Sequence, residues 1–296
     1  MRFTLPAPVL RGDLIAVAAP SSGFDPAEFE RGYQWLAERY RIRSSPTIFA
    51  RRGYLAGDDA RRRDELGAAL ADPEVKAIIM ARGGYGAMRI VDGLPWDAFA
   101  AHPKWLVGFS DITTFHVEAM KRGIASLHAP HVTALGRMDG DALGAYEAAL
   151  AHPGKELRFA SLQARVPGDA SGVLVGGNLA LLQALAASGR LALPSGCILA
   201  LEDVTEAPYR IDRLLTSLRL GGHLARAAGI VLGEFVDCPT GPDGVTPMDA
   251  IENCVRDLGV PVYAGAPFGH GAINTPFVLG VRAVLRAGEL VTQLVE

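Results

Sequence analysis

WLVGFSDITTFHVEAM, running from Trp105 to Met120, decides how this chain of 296 residues is read. Trp105 to Phe109 is a continuous apolar run, as a strand buried on both faces requires. Asp111, Ile112, Phe115 and Met120 follow with helical spacing, and no loop residues intervene. Ser110 stands at the junction. Either it caps the helix that follows, or it is a nucleophile projected from an abrupt strand-to-helix turn. In the second case the next N–H, that of Asp111, points at the developing oxyanion. Gly108, two residues earlier, leaves room for such a turn, whereas Ile112 occupies the place where a G-x-S-x-G elbow has its second glycine.

Outward from this junction the first half alternates strand and helix. LIAVAAP (14–20) is a buried strand ending in the turn Pro20-Ser21-Ser22-Gly23. In DPAEFERGYQWLAERY (25–40), Asp25 as N-cap, Pro26 at N1 and Glu28 at N3 start a helix. DDARRRDELGAALADP (58–73) is a second helix closed by Asp72-Pro73, and its triple arginine is expected to form a solvated face. VKAIIMA (75–81) is another strand, and GGYGAMRIVDGL (83–94) a Gly-rich turn into a helix. This rhythm predicts βαβ units and a parallel sheet. The pattern lapses in HPGKELRFASLQARVPGDASG (152–172), with its two Pro-Gly pairs, and then resumes. Two α/β domains are expected: 1–153 with a parallel sheet flanked by helices, a linker over 154–171, and 172–296 with a mixed sheet that ends in a hairpin around Ala287-Gly288.

Composition narrows the function. A net charge of −3 and no basic block interleaved with aromatics argue against nucleic acid as a partner. Cys197, Cys238 and Cys254 are odd in number and widely spaced, which fits buried thiols in a reducing compartment. Seven apolar residues broken upstream by Arg11, Gly12 and Asp13 suit a first strand better than an export signal. No apolar run approaches a bilayer span. A cytoplasmic protein without membrane partners is expected.

An open parallel sheet presents the carboxyl ends of its strands along one edge, where ligands bind. Three turns converge there: Pro20-Ser21-Ser22, Arg82-Gly83-Gly84-Tyr85-Gly86 and Ser110-Asp111. The glycine turn fails the dinucleotide fingerprint, since Arg89 holds its last position. What remains is a set of backbone N–H groups, Arg82 as a charged clamp, or a plain tight turn. His128 and His131 form H-x-x-H, but Pro130 between them and the lack of further ligands speak against a metal. His116 and His223 have structural explanations as residues of a helix and of a Gly-Gly turn. His270, between glycines in APFGHGAIN, suits a side chain presented to a cleft, and Glu202 ends the apolar strand CILALEDV as a helix-capping or functional carboxylate. Spacing alone does not pair them.

These residues lie in blocks that resemble the LD-carboxypeptidases, a family of serine peptidases that also holds the microcin C immunity proteins. The resemblance runs nearly end to end, through VAAPSSG, YLAGDDARRRDEL, ARGGYGAMRI, LVGFSDIT, LHAPH, GGNLALL, LEDVTEAPYRIDRLL and FGHGAIN. It implies a hydrolase without cofactor or metal, with Ser110 as nucleophile, Glu202 as orienting carboxylate and His270 as base. It further implies an oxyanion hole from the N–H groups of Asp111 and Gly84, and an active site where the two domains meet. Arg82, Gly83 and Tyr85 are then expected to contact substrate. By this analogy a homodimer removes terminal D-alanine from murein tetrapeptides at an L,D bond. The nearest rival is an immunity-type hydrolase of peptidyl or aminoacyl nucleotides, against which the compact chain speaks. A two-domain protein that closes on a ligand without chemistry is a rival of another class, and a full triad argues against it.

Overall fold

The computed structural model describes residues 3–293. The chain divides into two compact units. One comprises the residues up to Pro153 together with Thr275–Val278, and the other Gly154–Asn274 with the chain from Leu279 onward.

In chain order the strands are β1 (Leu14–Ala18), β2 (Arg41–Ser44), β3 (Ala77–Met80), β4 (Trp105–Gly108), β5 (Ser126–His128), β6 (Arg158–Phe159), β7 (Gln163–Val166), β8 (Ala170–Asn178), β9 (Cys197–Val204), β10 (Ala227–Val236), β11 (Val262–Ala264), β12 (Phe277–Leu279), β13 (Arg282–Arg286) and β14 (Glu289–Gln293). The N-terminal unit is built on a six-stranded sheet in the order β12-β5-β4-β3-β1-β2, and its strands β1 to β5 pair in parallel. β1, β3 and β4 are buried along their whole length, as their unbroken apolar sequences demand.

The sheet of the C-terminal unit has eight strands in the order β6-β14-β13-β8-β9-β10-β11-β7. β8 to β11 run parallel, and β6, β7, β13 and β14 add antiparallel flanks, which makes the sheet mixed. The hairpin β13–β14 turns at Ala287 and Gly288, both at positive φ, as a two-residue connection of this hand requires.

Two features differ from the sequence reading. The stretch 154–171 is not a bare linker: β6 and β7 pair with the outer strands β14 and β11, and β8 begins at Ala170. Their sequences are too short to show a strand pattern: exposed Arg158 stands beside buried Phe159 in β6, and β7 is exposed over Gln163, Ala164 and Arg165. The other is the triple arginine of the helix Asp59–Ala71, which is not a solvated face. Arg62 is wholly buried, Arg61 is largely so, and Arg63 is half-buried. Among the described residues no helix is long and apolar enough to cross a membrane.

Candidate active site

Parallel pairing brings the carboxyl ends of β1, β3, β4 and β5 to one edge of the N-terminal sheet. Ser110 follows β4 there with φ 61°, a left-handed conformation that is uncommon for a residue with a side chain. It opens the short 3₁₀ turn Ser110–Ile112 before the helix Thr113–Lys121, and neither element has a side-chain cap hydrogen bond. A cap is therefore not what this serine provides. Gly108 is needed beside it, because a methyl group there would lie 2.9 Å from Ile112 Cγ1. The apolar residue that replaces the second elbow glycine thus fills the space left by the first.

Asp111 ties the turns together. It is buried, and its carboxylate accepts from Ser21 Oγ at 2.6 Å and from the Ala87 N–H at 2.8 Å. Burial raises its pKa, against the pull of the Ser21 and Ala87 hydrogen bonds and the Arg62 charge. The glycine turn packs directly on the serine, since a side chain on Gly83 would begin 3.1 Å from Ser110 Cβ. Gly84 has φ 97°, and a methyl there would come within 2.5 Å of Ser22 Oγ. Ser22 Oγ accepts from the Tyr85 N–H at 3.0 Å. Arg82 donates to the Gly23 carbonyl at 2.8 Å, and the Tyr85 ring meets Tyr54 edge-on at 5.7 Å.

Below this edge lies a set of buried polar groups that sequence reasoning missed. Arg62 donates through Nη1 to the Pro20 and Gly86 carbonyls at 2.5 and 2.9 Å, and through Nη2 to Asp59 at 2.5 Å. Arg61 grips the Ala19 and Ala56 carbonyls, and Glu65 receives the Ala19 N–H at 2.7 Å. The helix itself carried the signal, for Arg62 shares its buried face with Leu66, Ala69 and Leu70. His116 hydrogen-bonds the Gly108 carbonyl and Ser126 Oγ, both at 2.9 Å, and burial drives its pKa down to about 4. His131 stacks on Phe109 at 4.4 Å and reaches the Phe109 carbonyl through Nε2 at 3.0 Å, while His128 stacks on Phe277 at 4.6 Å. Among the described residues no group of three or more His, Cys, Asp or Glu is arranged to hold a metal ion.

In the C-terminal unit the parallel strands again end in polar residues. Glu202, on β9, is completely buried, and its Oε2 lies 2.7 Å from His270 Nδ1. Burial lowers the His270 pKa, but the hydrogen bond and charge of Glu202, with a contribution from Asp203, outweigh it and raise the value. Asn178 pairs with Glu202 across β8 and β9, and its amide donates to Asp203 at 2.9 Å. Asp203 also receives the Ala180 and Val204 N–H groups, yet burial pushes its pKa up to about 6. Gly269 (φ 127°) packs on Glu202 and donates its N–H to Asn274 Oδ1 at 3.2 Å. Sequence-predicted groups are thus brought together as two constellations: Ser110, Asp111, Gly83, Gly84, Tyr85 and Arg82 on the N-terminal unit, Glu202 and His270 on the C-terminal unit.

Residues 15–129 match the family model of the LD-carboxypeptidase N-terminal domain, and 171–285 that of the LD-carboxypeptidase C-terminal domain. A murein tetrapeptide carboxypeptidase of Pseudomonas aeruginosa is 34% identical over 254 residues, covering 82% of this chain and 83% of its own. The crystal structure of the muramoyltetrapeptide carboxypeptidase from Oxalobacter formigenes superposes with a TM-score of 0.85 at 28% identity, over 95% of this chain and 98% of that one. The microcin C7 self-immunity protein MccF shares the fold, with a TM-score of 0.88 at 19% identity over 99% of each chain.

Proposed function

Because the chain belongs to the LD-carboxypeptidase family, we propose that it is a serine carboxypeptidase releasing terminal D-alanine from murein tetrapeptides at the L,D-peptide bond. Ser110, His270 and Glu202 are its triad in this reading. The observation that carries it is the 2.7 Å bond between His270 Nδ1 and a fully buried Glu202. Such a pair holds an imidazole in the tautomer that leaves Nε2 as a base. The positive φ of Ser110 supports the same reading, because strain of this kind concentrates at nucleophile turns.

His270 Nε2 takes the proton of Ser110 as Oγ attacks the scissile carbonyl carbon, and Glu202 stabilises the imidazolium. The N–H groups of Asp111 and Gly84 receive the negative charge that develops on the carbonyl oxygen. The imidazolium then protonates the departing amine of D-alanine. A water, deprotonated by His270, attacks the acyl-enzyme, and the proton returns to Ser110 as the shortened peptide leaves. Arg82, with Gly83 and Tyr85, contacts the substrate, the guanidinium facing its terminal carboxylate. None of these steps uses a metal, so activity survives exhaustive chelation. The enzyme acts in the cytoplasm as a homodimer, which light scattering on the purified protein tests.

The deciding experiment is mass spectrometry after incubation with a murein tetrapeptide, its all-L counterpart and an aminoacyl nucleotide. Loss of alanine from the L,D substrate alone is expected. Preferential cleavage of the nucleotide would establish the immunity-type hydrolase that the MccF fold makes a fair competitor. Ser110→Ala loses several orders of magnitude in kcat with folding intact, and adding His270→Ala costs little more, because triad members act as a unit. Near-normal turnover by a folded Ser110→Ala enzyme would sink the reading.

A further inference from the structure

Gly269 and Gly271 flank His270, and each leaves its side-chain space to a carboxylate. A methyl on Gly269 would come within 3.2 Å of Glu202 Cβ and Oε2, and one on Gly271 would overlap the carboxylate of Glu234. Glu202 is the partner already described, but Glu234 has no part in the triad. It sits on β10, where its N–H donates to the Phe268 carbonyl at 2.9 Å, so its backbone and side chain both bear on the histidine loop. The Gly271 N–H faces the carboxylate and favours its charged form, while burial works in the other direction and raises its pKa. Its Oε2 is buried with no hydrogen-bond partner among the described residues. A buried carboxylate oxygen without a partner costs stability.

We propose that Glu234 is a positioning residue: its carboxylate receives the Gly271 N–H and fixes the loop from Phe268 to Asn274 so that His270 keeps Nδ1–H on Glu202. The two glutamates then hold the loop on either side of the base in sequence, one at the imidazole and one at the backbone. The inference rests on the reading of His270 as base.

The test compares Glu234→Ala and Glu234→Gln in the full chain. It uses kcat and KM on the L,D tetrapeptide together with the low-field proton resonance of the His270–Glu202 bond, assigned by its loss in His270→Ala. Glu234→Ala is expected to lower kcat by about a hundredfold, the scale of an ångström of misplacement, with KM unchanged and the resonance lost. Glu234→Gln, whose amide oxygen still accepts from Gly271, is expected to keep both kcat and resonance. Normal kcat and an intact resonance in Glu234→Ala overturn the proposal. So does a rise in KM at constant kcat, which marks a substrate contact, or a Gln variant as impaired as the Ala variant. If Glu234→Ala does not fold, Gly271→Ala displaces the loop from an intact Glu234, and survival of the resonance there overturns it equally. If Ser110→Ala proves fully active, the triad falls, while the resonance still decides whether Glu234 places His270.

Discussion

In the proposed mechanism His270 works as a base only while it is neutral, and its surroundings set where that begins. Burial favours the neutral ring, but Glu202 and Asp203 favour the imidazolium more, so its pKa lies above the ordinary 6.5. Activity therefore rises with pH along an acid limb centred above 6.5. Glu202→Gln removes the larger attraction, leaves the burial, moves the limb to lower pH and lowers kcat. A kcat/KM profile of both enzymes checks this, and a wild-type limb at or below 6.5 would contradict it. Much at this scale was legible beforehand: Ser110 stood out because strand and helix patterns met without a spacer, and His270 because glycines framed it. The pairing of His270 with Glu202 came only from the family resemblance and not from spacing, for 68 residues separate them. Glu234 gave no signal at all, since a register shift in β10 between Leu232 and Phe235 breaks the alternation that would have placed it.

Among elements, the three turns at the edge of the N-terminal sheet act as one body because Asp111 is bonded to two of them and belongs to the third. Asp111→Ala leaves Ser21 Oγ and the Ala87 N–H unsatisfied in a buried place, at about 1–3 kcal/mol for each stranded group. Denaturant unfolding is expected to show that loss, and the turnover of the folded enzyme is expected to fall with it, because the Gly83–Gly84 turn and Ser110 lose their tie. An unchanged unfolding midpoint would mean that the turns are held elsewhere. Convergence of these turns followed from strand order alone. What the sequence pattern concealed was the support beneath them, because three consecutive arginines read as polar until the helix phase is applied residue by residue. The strands β6 and β7 were hidden for another reason: two and four residues are too few to show an alternation, and the strands are recognised by their pairing with β14 and β11.

At the scale of the whole molecule two buried groups, His116 in one unit and Asp203 in the other, respond to acid in opposite senses. His116 is held neutral, its pKa falling from 6.5 to about 4, so below 6.5 the unfolded chain takes a proton that the folded one refuses. Its contribution, about 3 kcal/mol, is present above 6.5 and lost as pH falls toward 4. Asp203 rises from 3.8 to about 6, so its contribution, again about 3 kcal/mol, is present below 3.8 and lost as pH climbs through 6. Calorimetry on acidification should therefore narrow the stability gap between wild type and His116→Asn, and widen that between wild type and Asp203→Asn. Gaps that move together would refute the assignment. The last strand of the N-terminal sheet carries a different kind of consequence. β12 comes from residues 277–279, so a ribosome has translated the chain through Phe277 before β5 gains its outer neighbour and His128 its stacking partner. A nascent chain cut short by a premature stop before Phe277 presents β5 as an open edge, the kind of surface on which chains aggregate and quality control acts. Synthesis itself thus withholds a finished N-terminal sheet until residues 154–274 of the other unit have already been made.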